Sequence, residues 1–228
     1  MKALFVTGTG TSIGKTFVTA GLLAALRTHG VVARAIKPVV SGYDPAEATT
    51  SDPGRLLLAM GRMPAPDAVA QISPFRFAAP VSPDMAARLE RRDLRVADIV
   101  AFCRQSIADA NGQLLIEGVG GLMSPIAEDA TVLDLIRALD LPVLLIGGTY
   151  LGAISHALTS VSALNAANLE MRALLINESP VGSVGPGPTR ESIARFLPSI
   201  RIAELAQGAG PDAFFSLAQA CGLLPVAL

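Results

Sequence analysis

Apolar residues along this chain fall into two kinds of run. Short continuous ones read as buried strands: Ala3-Leu4-Phe5-Val6, Val31-Val32-Ala33-Arg34-Ala35-Ile36, Leu114-Leu115-Ile116, Val143-Leu144-Leu145-Ile146 and Ala173-Leu174-Leu175-Ile176. Others recur every three or four positions, as on one face of a helix: Val18, Leu22, Ala25 and Leu26 within Phe17 to Leu26, then Val96, Ile99, Val100 and Cys103, then Ile154, Leu158, Val161 and Leu164. The two kinds alternate, which predicts an α/β fold: a three-layer domain with a mostly parallel central sheet flanked by helices. No internal repeat or low-complexity segment is visible. Ser179 to Thr189, rich in Gly and Pro, predicts a surface loop rather than a linker. A single domain over 1–228 is the expectation at this length.

In parallel sheets of this kind, ligands bind beyond the carboxyl ends of the strands. The residues there are the polar ones. The first strand runs into Thr7-Gly8-Thr9-Gly10-Thr11-Ser12-Ile13-Gly14-Lys15-Thr16, directly before the first helix. Strand, Gly-rich loop and helix in that order form a phosphate-binding P-loop. Glycines let backbone N–H groups turn toward an anion, and the helix N-terminus adds partial positive charge. Lys15 suits the β/γ-phosphates, and the Thr16 hydroxyl suits Mg²⁺. The common spacing would put the first Gly at Thr9; here Gly8 lies one residue earlier. The fold expectation thereby sharpens to P-loop NTPase-like.

Four further strand ends carry chemistry. Lys37 precedes Pro38, which disfavours helix at that point, so it either snorkels at the sheet edge or serves an anionic reaction centre. Beside a P-loop the second role is preferred, with Ser41 of Lys37-Pro38-Val39-Val40-Ser41-Gly42 as a hydrogen-bonding partner. Glu117, opening Glu117-Gly118-Val119-Gly120-Gly121, is a candidate for a Mg²⁺ shell, as is Asp52. Asp52 before Pro53 also reads as a helix cap. Gly147-Gly148-Thr149-Tyr150-Leu151-Gly152 follows the fourth strand. Asn177 follows the fifth, and its amide suits either a heterocycle edge or a turn cap.

Charge and composition narrow the partners. Eighteen basic and 19 acidic residues give a net charge of −1, which favours neither nucleic acid nor an anionic membrane. Hydrophobic content is 51%, yet no apolar run is long enough for a membrane span, so buried strands and Ala/Leu-rich helices account for it. The start passes at once into the loop motif, with no secretory signal, and Cys103 and Cys221 lack metal-ligand spacing. A cytoplasmic protein with reduced thiols is expected. His29, at the predicted end of the first helix, reads as dipole complementation, and His156 as a packed residue.

Taken together these blocks resemble the dethiobiotin synthetases. The resemblance rests on Gly8 to Thr16, Lys37 to Gly42, Ser51-Asp52, Ala79-Pro80-Val81-Ser82-Pro83, Glu117 to Gly121 and Leu151-Gly152-Ala153-Ile154-Ser155-His156, and the longer P-loop is typical of that family. It implies ATP-dependent carboxylation and ring closure of 7,8-diaminopelargonic acid (7,8-diaminononanoate) with CO₂, with Mg²⁺ as cofactor and a homodimeric enzyme. It further implies that Gly10, Thr11, Ser12, Ile13, Gly14, Lys15, Thr16 and Phe17 hold nucleotide. Lys37 stabilises negative charge on carbamate and anhydride, and Thr11 and Ser41 position substrate. Thr16, Asp52 and Glu117 hold Mg²⁺. Gly118, Val119 and Gly120 line the reaction centre, and Asn177 faces adenine together with Ala203, Glu204 and Leu205. Leu151 and Gly152 open a predicted helix whose free N–H groups suit the substrate's carboxylate tail, reaching it from the partner subunit. Ser12 stands where the family often has Glu, Asp or Gly, Asp84 where His is common, and Arg91 where Gly is common. Ile200 to Leu205 lacks the family's Gly-x-Ile-Pro-type stretch.

Two other P-loop readings compete. An amidotransferase-type synthetase needs a glutaminase domain or partner, for which the chain has no room. A partitioning-type ATPase switch carries a second Lys inside its loop, where this chain has Gly10-Thr11-Ser12.

Overall fold

The structure is a computed structural model that describes residues 3–181 and 184–225. Its elements run in the alternating order expected. Strand β1 (Ala3–Gly8) leads to helix α1 (Lys15–Thr28), β2 (Ala33–Ile36) and β3 (Val39–Ser41). Three short helices and a strand follow: α2 (Asp52–Ala59), α3 (Pro66–Ile72), β4 (Phe75–Phe77) and α4 (Pro83–Leu89). Then come α5 (Val96–Ala108), β5 (Gln113–Glu117), β6 (Pro125–Ala127), β7 (Ala130–Thr131) and α6 (Val132–Leu139). The last third holds β8 (Val143–Gly147), α7 (Ala153–Ala166), β9 (Met171–Asn177), α8 (Pro186–Ala194), β10 (Ile202–Leu205) and α9 (Pro211–Ala220).

The central sheet has the order β10-β9-β8-β1-β5-β2, and every pairing in it is parallel. Successive side chains of a strand point to opposite faces. All of β1 and β8 is nonetheless buried, so both faces are covered by helices and the domain has three layers. From β1 the chain builds β2 and β5 on one side, then β8, β9 and β10 on the other. The reversal beside β1 creates the crevice where ligands bind in such sheets. Two small pairs, β3–β4 and β6–β7, lie outside this sheet.

Two local expectations are corrected. The stretch from Ser179 to Thr189 is not loop throughout: α8 begins at Pro186, which suits the first helical position because its missing N–H has no intrahelical use. Thr189 is buried there and donates to the Gly185 carbonyl. Residues 182 and 183 lie outside the described residues. Asp52 is not a cap either. Ser51 caps α2 by accepting from the Gly54 N–H, which leaves the Asp52 carboxylate, in the first turn, available for other partners.

Candidate functional site

The site lies at the carboxyl ends of β1, β2 and β5. Gly8 ends β1, the Thr9 N–H reaches back to the Ile146 carbonyl at 2.9 Å, and the loop closes on Gly14, the residue before α1. Gly14 has φ of 90°, the left-handed region that glycine enters without strain. A side chain there is excluded twice, since its Cβ would lie 2.4 Å from the Asn177 amide nitrogen. Asn177 donates to the Ile13 carbonyl at 2.9 Å, so the end of β9 ties down the loop that leaves β1. Lys15 folds over the loop and donates to the Gly10 carbonyl at 2.8 Å. Burial lowers its pKa to about 8, reinforced by the charge of Lys37 and opposed by Glu117 and Asp52.

Lys37 does not snorkel. It is 3% exposed, and its Nζ lies 2.7 Å from Glu117 Oε1 and 2.9 Å from Asp52 Oδ2. Its backbone is pinned on both sides: its N–H donates to the Ile72 carbonyl, and its own carbonyl accepts from the Ser73 hydroxyl at 2.6 Å. Burial opposes the charged form of Lys37, but the two carboxylates outweigh it and hold its pKa above the usual lysine value. Burial likewise pushes Asp52 up, and Lys37 outweighs it, leaving the carboxyl below its usual range. Glu117, the last residue of β5, is buried; its Oε1 also accepts from the Thr16 hydroxyl at 2.7 Å. Two lysines and two carboxylates thus form one compact, charge-balanced cluster.

Thr16, Asp52 and Glu117 suit Mg²⁺. Glu117 Oε2 is buried without a hydrogen-bond partner, an orphan that a hard cation or its waters would satisfy. Among the described residues no group of three or more His, Cys, Asp or Glu could hold a metal by itself. A two-carboxylate, one-hydroxyl set leaves positions for water and phosphate, as Mg²⁺ prefers and as Zn²⁺ does not.

A cavity of about 650 Å³ opens over this cluster. Its wall holds Thr11, Ser12, Gly14, Lys15, Thr16, Phe17, Lys37, Ser41, Asp52, Val119 and Gly120, all expected from the sequence. Ser12 has φ of 58°, which accounts for Gly among the residue types expected there. Gly10 lies beneath the loop as the Lys15 acceptor, Ile13 is buried, and the Gly118 N–H is spent on the Val6 carbonyl. The wall also includes Arg55, Ser124 and the Pro80–Pro83 turn, to which the sequence reading assigned no role. Arg55 could have been found: it lies three residues after Asp52 on α2, hence on the same face.

Other expected residues are not in this wall. Ala203, Glu204 and Leu205 form β10, paired in register with Leu175, Ile176 and Asn177. Leu151 is fully exposed, and Gly152, with φ of 94°, stands at the N-terminus of α7. His156 is not packed: it is exposed and bonds the Tyr150 hydroxyl at 2.8 Å. His29 does cap α1 as expected, with Nδ1 2.9 Å from the Ala25 carbonyl.

Comparison with known proteins agrees with this geometry. A family model described as an AAA domain matches residues 2–208. A Methylobacterium nodulans protein named ATP-dependent dethiobiotin synthetase BioD is 48% identical over 92% of this chain and 95% of its own length. One of the same name from Acidiphilium cryptum is 48% identical over 86% and 89%. Among solved structures, a Cyanothece McdA–ATP complex superposes with a TM-score of 0.57 at 13% identity, covering 100% of this chain and 99% of that one. A ParA family ATPase from Chlorobium tepidum gives 0.52 at 12% identity, covering 99% and 93%. At such identities the two structures establish the P-loop NTPase fold alone. The relatives at 48% identity, matched over nearly their whole length, establish more: the chain belongs to the ATP-dependent dethiobiotin synthetase family.

Proposed function

We propose that this chain is a dethiobiotin synthase, an ATP- and Mg²⁺-dependent cyclo-ligase that joins 7,8-diaminononanoate and CO₂ into a cyclic urea. One observation carries the reading beyond family membership: a buried lysine, Lys37, lines the same cavity as the phosphate-loop lysine, Lys15. Phosphoryl transfer needs placement and charge stabilisation rather than a covalent intermediate, and this cluster supplies both.

The chemistry follows from the cluster. One amine of the substrate adds to CO₂ and loses a proton, giving a carbamate. A carbamate oxygen attacks the γ-phosphorus of ATP, and ADP leaves. The second amine attacks the carbonyl of the resulting carbamic–phosphoric anhydride and loses a proton, phosphate leaves, and the urea closes. Each intermediate is anionic where the two lysines stand. Lys15 holds the phosphoryl group in flight, and Lys37 faces the carbamate and anhydride oxygens. Thr11 and Ser41, both on the cavity wall, orient the diamine. Mg²⁺, held by Thr16, Asp52 and Glu117, supplies charge neutralisation to the triphosphate.

The rest of the reading is consistent with one catalytic domain in a cytoplasmic homodimer. No helix among the described residues is long and apolar enough to cross a membrane. Leu151 projects fully into solvent beside the N-terminus of α7, where the Ala153 N–H is taken by the Tyr150 carbonyl and the N–H groups that follow in the first turn support a subunit contact that receives the substrate's carboxylate. The partitioning-type switch retains in its favour only the shared fold. Mass detection of the cyclic urea from diamine, bicarbonate, Mg²⁺ and ATP tests the proposal. ATP hydrolysis without that product refutes it.

A further inference from the structure

Phe17 is an exposed aromatic residue of the cavity wall with no part in the chemistry above. It is 51% exposed although α1 has a buried face available for a phenyl ring. One edge is fixed. Its ring packs edge-to-face on Phe214 of α9, with centroids 5.5 Å apart and planes at 73°. Phe214 lies directly over Gly21, where a Cβ would come within 2.1 Å of its ring. This aromatic pair is one part of the contact between α1 and α9, beside the stacked pair His29–Phe215, and Phe17 also lines the cavity.

Its place along the loop gives the exposure a purpose. Backbone N–H groups of a P-loop cradle the α- and β-phosphates while the lysine reaches the β/γ end. Phe17 comes one residue after Thr16, away from the γ end and toward the nucleoside. Gly14 immediately precedes α1, three residues before Phe17, and Asn177 packs on it. One N–H of the Asn177 amide is engaged by the Ile13 carbonyl on that side.

We propose, building on the function above, that the Phe17 ring is the stacking platform for the nucleobase, backed by Phe214. Stacking uses the π-face that every base has, so this platform binds without choosing among bases.

Calorimetric titration with ADP, CDP and inorganic tripolyphosphate, in the presence of Mg²⁺, tests it on wild type, Phe17→Ala and Phe17→Tyr. Phe17→Ala is expected to weaken ADP and CDP alike by about tenfold or more, while tripolyphosphate, which has no base, stays within about twofold. Phe17→Tyr, which keeps the ring, is expected to retain wild-type affinity for all three. Unchanged ADP affinity in Phe17→Ala overturns the platform. So does a parallel loss of tripolyphosphate, which would show that the ring merely holds α1 and the loop in shape. A wild-type protein that binds neither ADP nor tripolyphosphate overturns the phosphate-loop function itself, a separate result from failure of the platform.

Discussion

Replacing Lys37 by Gln keeps a polar side chain of nearly the same reach and removes the charge. Two consequences can be sized. Glu117 is 1% exposed and loses the cation at 2.7 Å, whereas the Asp52 side chain is 43% exposed and can turn to water. Breaking a buried pair costs about 3–5 kcal/mol; with only one carboxylate stranded, about 3 kcal/mol of stability is expected to go. For catalysis, a unit charge about 4 Å from the developing anion contributes about 4 kcal/mol at an effective dielectric of about 20. Water entering the gap returns part of it, so kcat is expected to fall by about 10²–10³-fold. The loss should appear in kcat more than in KM for ATP, because the charge matters most as the anhydride forms. Phosphate release at saturating diamine, bicarbonate and ATP measures it, with thermal melting to establish that the variant is folded. Lys37→Ala is expected to behave similarly. A folded variant of either kind with kcat within about threefold of wild type would refute this account of Lys37.

Four other outcomes follow from the geometry. Gly152→Asp is expected to raise KM for the diamine far more than KM for ATP, with Gly152→Asn as the uncharged control for strain at φ of 94°; equal changes in both would remove the α7 N-terminus from the site. CTP and GTP are expected to support turnover within about tenfold of ATP in kcat/KM, since Ile200 to Leu205 carries no Pro to build a rigid turn against the base; steady-state rates decide it, and a thousandfold preference for ATP would reveal an adenine pocket. Arg91 sits at φ of 52°, so Arg91→Gly is expected to stabilise by about 0.5–1 kcal/mol, read as a rise in Tm, and an unchanged or lower Tm would show that no strain is stored there. Lys15, with its pKa lowered to about 8, releases its proton in the free protein as pH rises through 8, while a bound triphosphate favours the charged form; binding is therefore expected to take up about half a proton near pH 8, more toward about pH 10 and little below about pH 7, measurable by calorimetry in buffers of different ionisation enthalpy.

What the sequence revealed divides along physical lines. The five apolar runs were legible because interior parallel strands are buried on both faces; of the five, only the run in the edge strand β2 admits a charged residue, Arg34. Lys37 and Glu117 were legible because each stands where such a strand ends, and Lys15 and Thr16 because they close the Gly-rich loop at a helix start. The short strands β3, β4, β6 and β7 span only two or three residues, too few to show a period. Phe17 reads in one dimension as one more apolar helix residue; its exposure depends on Phe214, nearly the whole chain away. Arg91 is the instructive intermediate. Its departure from the glycine common in the family is visible in sequence, but the reason needs the backbone. Helix α4 ends in paired bonds from the Arg92 N–H to the Ala87 carbonyl and from the Arg91 N–H to the Arg88 carbonyl. This is the Schellman termination, whose left-handed residue is Arg91 itself.

The tie from Asn177 to Ile13 bears on how the protein is made. The two partners are 164 residues apart, and the loop they join leaves the first strand synthesised. That strand is interior to the sheet: its neighbours β5 and β8 emerge from the ribosome only in the second half of the chain. A nascent chain carrying only the N-terminal half holds the complete phosphate-loop motif, yet it lacks both β8 and the side chain that fixes the loop's carbonyl. A chain truncated before Asn177 is therefore expected to carry a motif that reads correctly and to bind nucleotide more weakly than the full chain.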